Sequence, residues 1–252
     1  MKNTHYILSV LLVLLVALGA SPLQAKPLVG CDLTLDRTIL PAGELQKTVI
    51  KVSLDVPAIP VETSRPPVNL TLVLDRSGSM SGEKIRKARE AAITALHRLA
   101  PQNIFSLVVY DHNVQTLVPP QSAANSEWIE SRIRSIGTGV NTALYGAVSQ
   151  GAAEVRKNLY GPYVHRVILL SDGLANVGPS SPSDLARLGA ALVKEGISVT
   201  TVGIGNDFNE DLMNQLADRS DGNHYFVESS RDLPRILAVE LGDVLSVAAG
   251  TV

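Results

Sequence analysis

The sequence predicts an α/β fold: a doubly wound, mainly parallel sheet with helices on both faces, one antiparallel edge strand and a short β segment ahead of it. Three observations lead there. From Val68 onward, short runs that are apolar throughout alternate with amphipathic helical stretches, the pattern of a parallel sheet covered on both sides. One pair of runs, "VVYDHNVQTLV", is joined directly through the tight turn Asp111-His112-Asn113, so one strand must run antiparallel and belongs at an edge. Between Cys31 and Val56 apolar and polar residues alternate with the period of strands.

In chain order, residues 1–25 read as a secretory signal. Met1, Lys2 and His5 precede an apolar run from Ile7 to Ala20, and Ser21-Pro22-Leu23-Gln24-Ala25 follows as a cleavage region. The run is short beside the roughly 20 apolar residues of a membrane-spanning helix. An uncleaved N-terminal anchor is the alternative, and either reading implies an exported chain, periplasmic, secreted or at the cell surface.

Residues 26–64 form a β segment and a connector. "CDLTL" is one strand, "PAGE" a turn, and Ile50, Val52, Leu54 and Val56 mark a second strand. Such a pair does not stand alone. "PAIPVETSRPP" then makes a stiff boundary through its prolines. Cys31 is the one cysteine, which excludes an internal disulfide. "LVGC" resembles a bacterial lipoprotein box, so lipidation of Cys31 is a second route to the membrane, against the plainer reading of a free thiol.

Residues 65–252 are the main domain. Its strands are "VNLTLVL", "FSLVVY", "VQTLV", "RVILLS", "SVTTVGI" and a weaker "HYFV". Ile85, Ala88, Ala92, Leu96 and Leu99 share one helical face, as do Leu144, Ala147, Val148, Gly151, Ala152 and Val155. Further helices are expected near 183–195, 209–219 and 230–247.

Several functions are excluded by what the chain lacks. A formal charge of −2 with scattered Lys and Arg gives no face for a phosphate backbone, so nucleic acid is not a partner. The five histidines are too dispersed for a zinc cluster. "GSMSGEK" lacks P-loop spacing, and Gly203-Ile204-Gly205 has Phe208 where a third glycine would stand, so no nucleotide is expected. A nucleophile elbow of the Gly-x-Ser-x-Gly kind is absent. His112 reads as a solvated turn residue at the far side or edge of the sheet. An enzyme is therefore not the expectation.

Ligands of open α/β sheets gather beyond the carboxyl ends of the strands. There the sequence places Asp75-Arg76-Ser77-Gly78-Ser79, Ser171-Asp172-Gly173, and Gly139-Val140-Asn141-Thr142 ahead of the helix that begins near Leu144. Two carboxylates and three hydroxyls are hard oxygen donors that suit Mg²⁺ or Mn²⁺, completed by water. Gly78 lets the loop turn tightly, while Arg76 has no role readable from the sequence. Taken singly, Ser79 or Ser81 would cap the following helix, Thr142 the next, and Asp172-Gly173 would be a turn.

Taken together, Asp75-x-Ser77-x-Ser79, Thr142 and Asp172 resemble the metal-ion-dependent adhesion site (MIDAS) of the von Willebrand factor type A family, whose fold is Rossmann-like. The run "RPPVNLTLVLDRSGSMSGEKI", with "LLSDGLANVG" and "TVGIGNDFNEDLMNQLA", is similar to bacterial secreted members, inter-alpha-trypsin inhibitor heavy chains and calcium-activated chloride channel regulators. The resemblance implies a Mg²⁺ site, with Mn²⁺ or Ca²⁺ as alternatives. Ser77, Ser79 and Thr142 would bind through hydroxyls, and Asp75 and Asp172 directly or through water. It implies an Asp or Glu side chain of a partner protein as the ligand, with no hydrolysis. In the bacterial relatives the N-terminal strands belong to a β-sandwich, here a partial one. Two alternatives stand beside it: an accessory subunit of an ATP-driven chaperone or chelatase complex, and a metal-dependent phosphoester hydrolase, although Ser77 stands where that chemistry needs a second aspartate.

Overall fold

The computed structural model describes residues 30–35, 48–55, 66–172, 177–205 and 208–246. The expected signal at 1–25, the "PAGE" turn, Val56, most of the proline-rich connector and Gly173 lie outside the described residues. The chain divides into two compact units, residues 1–62 and 63–252. Among the described residues no helix is long and apolar enough to cross a membrane.

The first unit holds an antiparallel ribbon of β1 (Gly30–Leu35) and β2 (Ile50–Asp55). Its register sets Cys31 opposite Leu54, Leu33 opposite Val52 and Leu35 opposite Ile50. One face is therefore apolar and the other carries Asp32, Ser53, Thr34 and Lys51, as strand alternation requires.

The second unit carries a six-stranded sheet among its described residues, ordered β5-β4-β3-β6-β7-β8. The strands are β3 (Val68–Asp75), β4 (Ile104–Tyr110), β5 (Val114–Ser122), β6 (Val164–Ser171), β7 (Ile197–Ile204) and β8 (His224–Val227). All neighbours are parallel except β4 and β5, which are antiparallel. The edge position expected for "VQTLV" is the one β5 takes. Every residue of β3 is buried, because this strand lies inside the sheet and is covered on both faces.

The helices are α1 (Glu83–Arg98), α2 (Ser126–Arg134), α3 (Leu144–Arg156), α4 (Pro182–Lys194), α5 (Glu210–Arg219) and α6 (Leu233–Ser246). α2 is an element the sequence reading did not contain. One core layer joins Leu70, Leu72 and Leu74 of β3 to α1, α2 and α6, where Leu233, Leu237 and Leu241 recur every four residues. The other joins Val73 to α3, α4 and α5. α3 lies so close that a Cβ on Gly151 would stand 2.6 Å from Val73 Cγ2. α4 opens on a capping box, in which Ser181 accepts from Asp184 N and Pro182 follows. α6 is held by a buried charge: Glu240 Oε1 accepts from Thr200 Oγ1 at 2.6 Å, and Oε2 from Asn223 Nδ2 and Tyr225 OH.

Candidate functional site

Parallel strands deliver their carboxyl ends to the same rim. Asp75 lies opposite Tyr110 of β4, and Leu74 opposite Leu170 of β6, so the segments that follow β3, β4 and β6 emerge side by side. Asp75 is fully buried; its Oδ1 accepts from Ser77 N at 2.8 Å and its Oδ2 from Ser171 Oγ at 2.7 Å. Ser77 Oγ lies 3.0 Å from Ser79 Oγ, which donates to Asp172 Oδ1 at 2.7 Å. A continuous line of hydrogen bonds thus joins four of the five predicted residues across almost one hundred residues of chain.

Thr142 reaches the same rim through its loop. Gly139 N donates to Arg76 O, Gly78 N to Val140 O, and Val177 N to Thr142 O. Thr142 itself is buried.

The capping readings do not describe these hydroxyls. The N-cap of α1 is Gly82 and that of α3 is Ala143, and neither makes a side-chain cap bond. Ser81 Oγ donates instead to Gly78 O. The hydroxyls of Ser77 and Ser79 are directed to each other and to a carboxylate, an arrangement helix capping does not explain.

The turn at Asp111-His112-Asn113 leads into the edge strand β5, as one of its two expected positions had it, but it is not on the far side, because β4 runs parallel to β3 and ends at the same rim. Asp111 is buried and clamps the loops: its carboxylate lies 3.2 Å from Arg76 Nε and accepts from Asn113 N, while its carbonyl accepts from Ala143 N at 2.8 Å. The Arg76 contact is an ion pair without an aligned hydrogen bond. That pairing gives Arg76 the role the sequence withheld. Gly139 packs so tightly that a Cβ there would overlap Asp111 Oδ2 and stand 2.6 Å from its Cγ. His112 is half exposed and lies 3.2 Å from Asp111 Oδ1.

Electrostatically the site is short of positive charge. Burial pushes the Asp75 carboxyl above the usual range; hydrogen bonds from Ser171 and Ser77 pull it partly back, and the charge of Asp172 adds to the rise. The Tyr110 hydroxyl, fully buried beside Asp75 and Ser171, is driven well above its ordinary range, first by burial and then by the charge of Asp75. It has no well-formed hydrogen bond among the described residues. Asp172 alone of the two aspartates has a cation, Lys84, whose Nζ lies 2.5 Å from Oδ2. Among the described residues no group of three His, Cys, Asp or Glu side chains forms a metal cluster, so a cation here would depend on hydroxyl donors. All-oxygen and short of positive charge, with Asp75, Ser77, Thr142 and Asp172 buried and Ser79 open to solvent, the donor set fits a small hard dication.

Comparison with known proteins identifies the family and the fold. Residues 69–238, well over half of the chain, match the family model of the von Willebrand factor type A domain. The chain belongs to the von Willebrand factor type A family. The inter-alpha-trypsin inhibitor heavy chain H4 of Homo sapiens is 33% identical over 159 residues, covering 60% of this chain and 17% of that protein. The type A chain spans 39% or less of the length of these curated relatives. Among solved structures, the ArnB paralog VWA2 from Sulfolobus acidocaldarius superposes with a TM-score of 0.59 at 23% identity, covering 84% of this chain and 54% of that one. Proximal thread matrix protein 1 from the mussel byssus, solved with a zinc-occupied MIDAS motif, gives 0.55 at 19% identity, covering 69% and 47%. At these identities the two structures establish the type A fold.

Two residues that shape the type A site escaped the sequence reading. Lys84 shows in sequence only as a base in the first turn of a helix, where the helix dipole disfavours a cation. Asp111 shows only as a turn residue.

Proposed function

We propose that this chain is a metal-dependent protein-binding module of an exported protein. Asp75, Ser77, Ser79, Thr142 and Asp172 hold a divalent cation, with Mg²⁺ first by donor chemistry, and a partner protein supplies an Asp or Glu carboxylate. The carrying observation is the line of hydrogen bonds from Asp75 through the Ser77 amide, and on through the Ser77 and Ser79 hydroxyls, which cap no helix, to Asp172. When bound, the cation supplies a Lewis-acidic coordination position that an external carboxylate can take from water.

The chain's own residues do the rest. Asp111 and Arg76 fix the loops that carry the donors, and burial of Asp75 keeps its carboxylate from bulk water, where a dication would be less strongly held. The rim also offers an apolar contact, since Val140 is 66% exposed while its carbonyl is fixed by Gly78 N. A partner with an apolar side chain next to its acidic residue fits that surface. The zinc-occupied MIDAS of the mussel protein supports occupancy by a divalent ion. The secretory reading of residues 1–25 supports export to the periplasm, the cell surface or the medium, and mediation of adhesion there rather than catalysis.

The test is a pull-down from envelope extract with wild type and Asp172→Ala, in Mg²⁺ and in chelator. A partner retained only by wild type and only with Mg²⁺ is the expected result. Capture that is equal in chelator, or equal with Asp172→Ala, refutes the reading.

A further inference from the structure

The geometry points to Lys84 as a built-in competitor for the cation, an inference that rests on the metal-binding reading above. Its ammonium sits 2.5 Å from Asp172 Oδ2, and Ser79 holds the other oxygen at 2.7 Å, so both oxygens of a proposed metal ligand are taken by protein donors. The Asp172 side chain is inaccessible to solvent whereas that of Lys84 is 32% exposed. The lysine therefore reaches inward from the surface to a buried charge.

Its position in the helix makes the contact informative. Lys84 is the second residue of α1, at the end of the helix where the dipole is positive and repels a cation. Among the described residues Asp172 is its one ion-pair partner, and Nζ also lies near the end of β7, 3.8 Å from where a Cβ on Gly205 would stand. A flexible four-carbon stem allows the ammonium to leave without moving the helix.

Two consequences follow. In the metal-free protein Lys84 neutralises Asp172, which limits repulsion with buried Asp75 and keeps the rim assembled. In the metal-bound protein a dication that uses Asp172 must either displace the ammonium or accept it as a like-charged neighbour. Lys84 thus lowers divalent-ion affinity and makes metal uptake an exchange of one cation for another.

Calorimetric titration of Mg²⁺ and of Mn²⁺ into wild type, Lys84→Met, Lys84→Gln and Lys84→Arg tests this, with thermal melting in chelator and in saturating Mg²⁺. The expected result is at least tenfold tighter binding in Lys84→Met and Lys84→Gln, and not in Lys84→Arg. The two neutral variants should also melt below wild type in chelator, with the gap closing in saturating Mg²⁺. Unchanged or weaker metal binding in both neutral variants overturns the inference while leaving the metal site intact. A lysine that is merely structural would lower melting equally with and without metal. Failure of wild type to take up either cation overturns both the inference and the reading beneath it.

Discussion

Gly139→Ala is the sharpest probe of how the rim is built. Gly139 has no positive φ, so its cost is steric: the added methyl overlaps Asp111 Oδ2 and stands 2.6 Å from Cγ and 2.7 Å from Cβ. Carbon atoms settle at about 3.5 to 4.0 Å. Asp111 cannot yield easily, because it is buried and held by Arg76, Asn113 N and Ala143 N. The loop must therefore move outward by about 1 Å to restore ordinary carbon contacts, carrying Thr142 with it. Overpacking of this kind costs about 1–3 kcal/mol. For a domain of this size each kcal/mol lowers Tm by about 2–4 °C, so a fall of about 2–12 °C is expected in chelator. Because Mg²⁺ tolerates little departure from octahedral geometry and supporting contacts are typically worth about 10–100-fold in metal affinity, binding should weaken by at least about tenfold. Gly137→Ala is the control, since a Cβ there meets nothing within 4 Å. Thermal melts and Mg²⁺ calorimetry on the three proteins decide the matter. If Gly139→Ala melts and binds like Gly137→Ala, the clamp formed by Asp111 does not position Thr142.

Two further outcomes are expected. Ser79→Ala should weaken Mg²⁺ binding while costing little stability in chelator, whereas Ser181→Ala, which removes a true capping box, should cost about 1 kcal/mol in urea denaturation and leave Mg²⁺ binding unchanged. Burial lowers the pKa of His165, whose ring nitrogens face Asn69 Nδ2 and the Leu159 carbonyl. The folded state therefore favours the neutral ring, and its contribution is complete above the unfolded value of about 6.5 and lost as pH falls from there toward the depressed folded value. Tm followed from pH 7 to pH 5 should fall, and His165→Asn should flatten part of that slope, with His224, which burial also depresses, contributing to what is left. A variant whose slope equals wild type would remove His165 from the account.

The strands of the sheet were legible because burial on both faces writes itself as continuous apolar runs, as in "VNLTLVL" and "RVILL". α2 was not, since only Ile129 and Ile133 are buried on it and a single pair four residues apart sets no period. The five site residues stood out because each lies in a segment that follows a strand or precedes a helix at one rim. Lys84 and Asp111 did not, because what gives them meaning is a partner reached only through the tertiary fold: Asp172 lies 88 residues beyond Lys84. The place of His112 was derivable, since a turn that follows a strand parallel to β3 must share its rim. That step needs only the parallel direction of β3 and β4, which the alternation of strands and helices already implies.

The donors assigned to the rim come from a segment at 75–79, a loop at 139–143 and the end of β6, so no single element of the domain contains the site. It exists only when β3 lies between β4 and β6 in register. A cation that recognises this arrangement has little to bind on the way to the native state, where non-local parallel pairing is still incomplete. Its stabilisation then acts on the far side of the folding barrier, slowing escape from the native state and leaving the rate of arrival nearly unchanged. Resistance to unfolding, more than speed of folding, is what divalent ions in the surroundings would set for this domain.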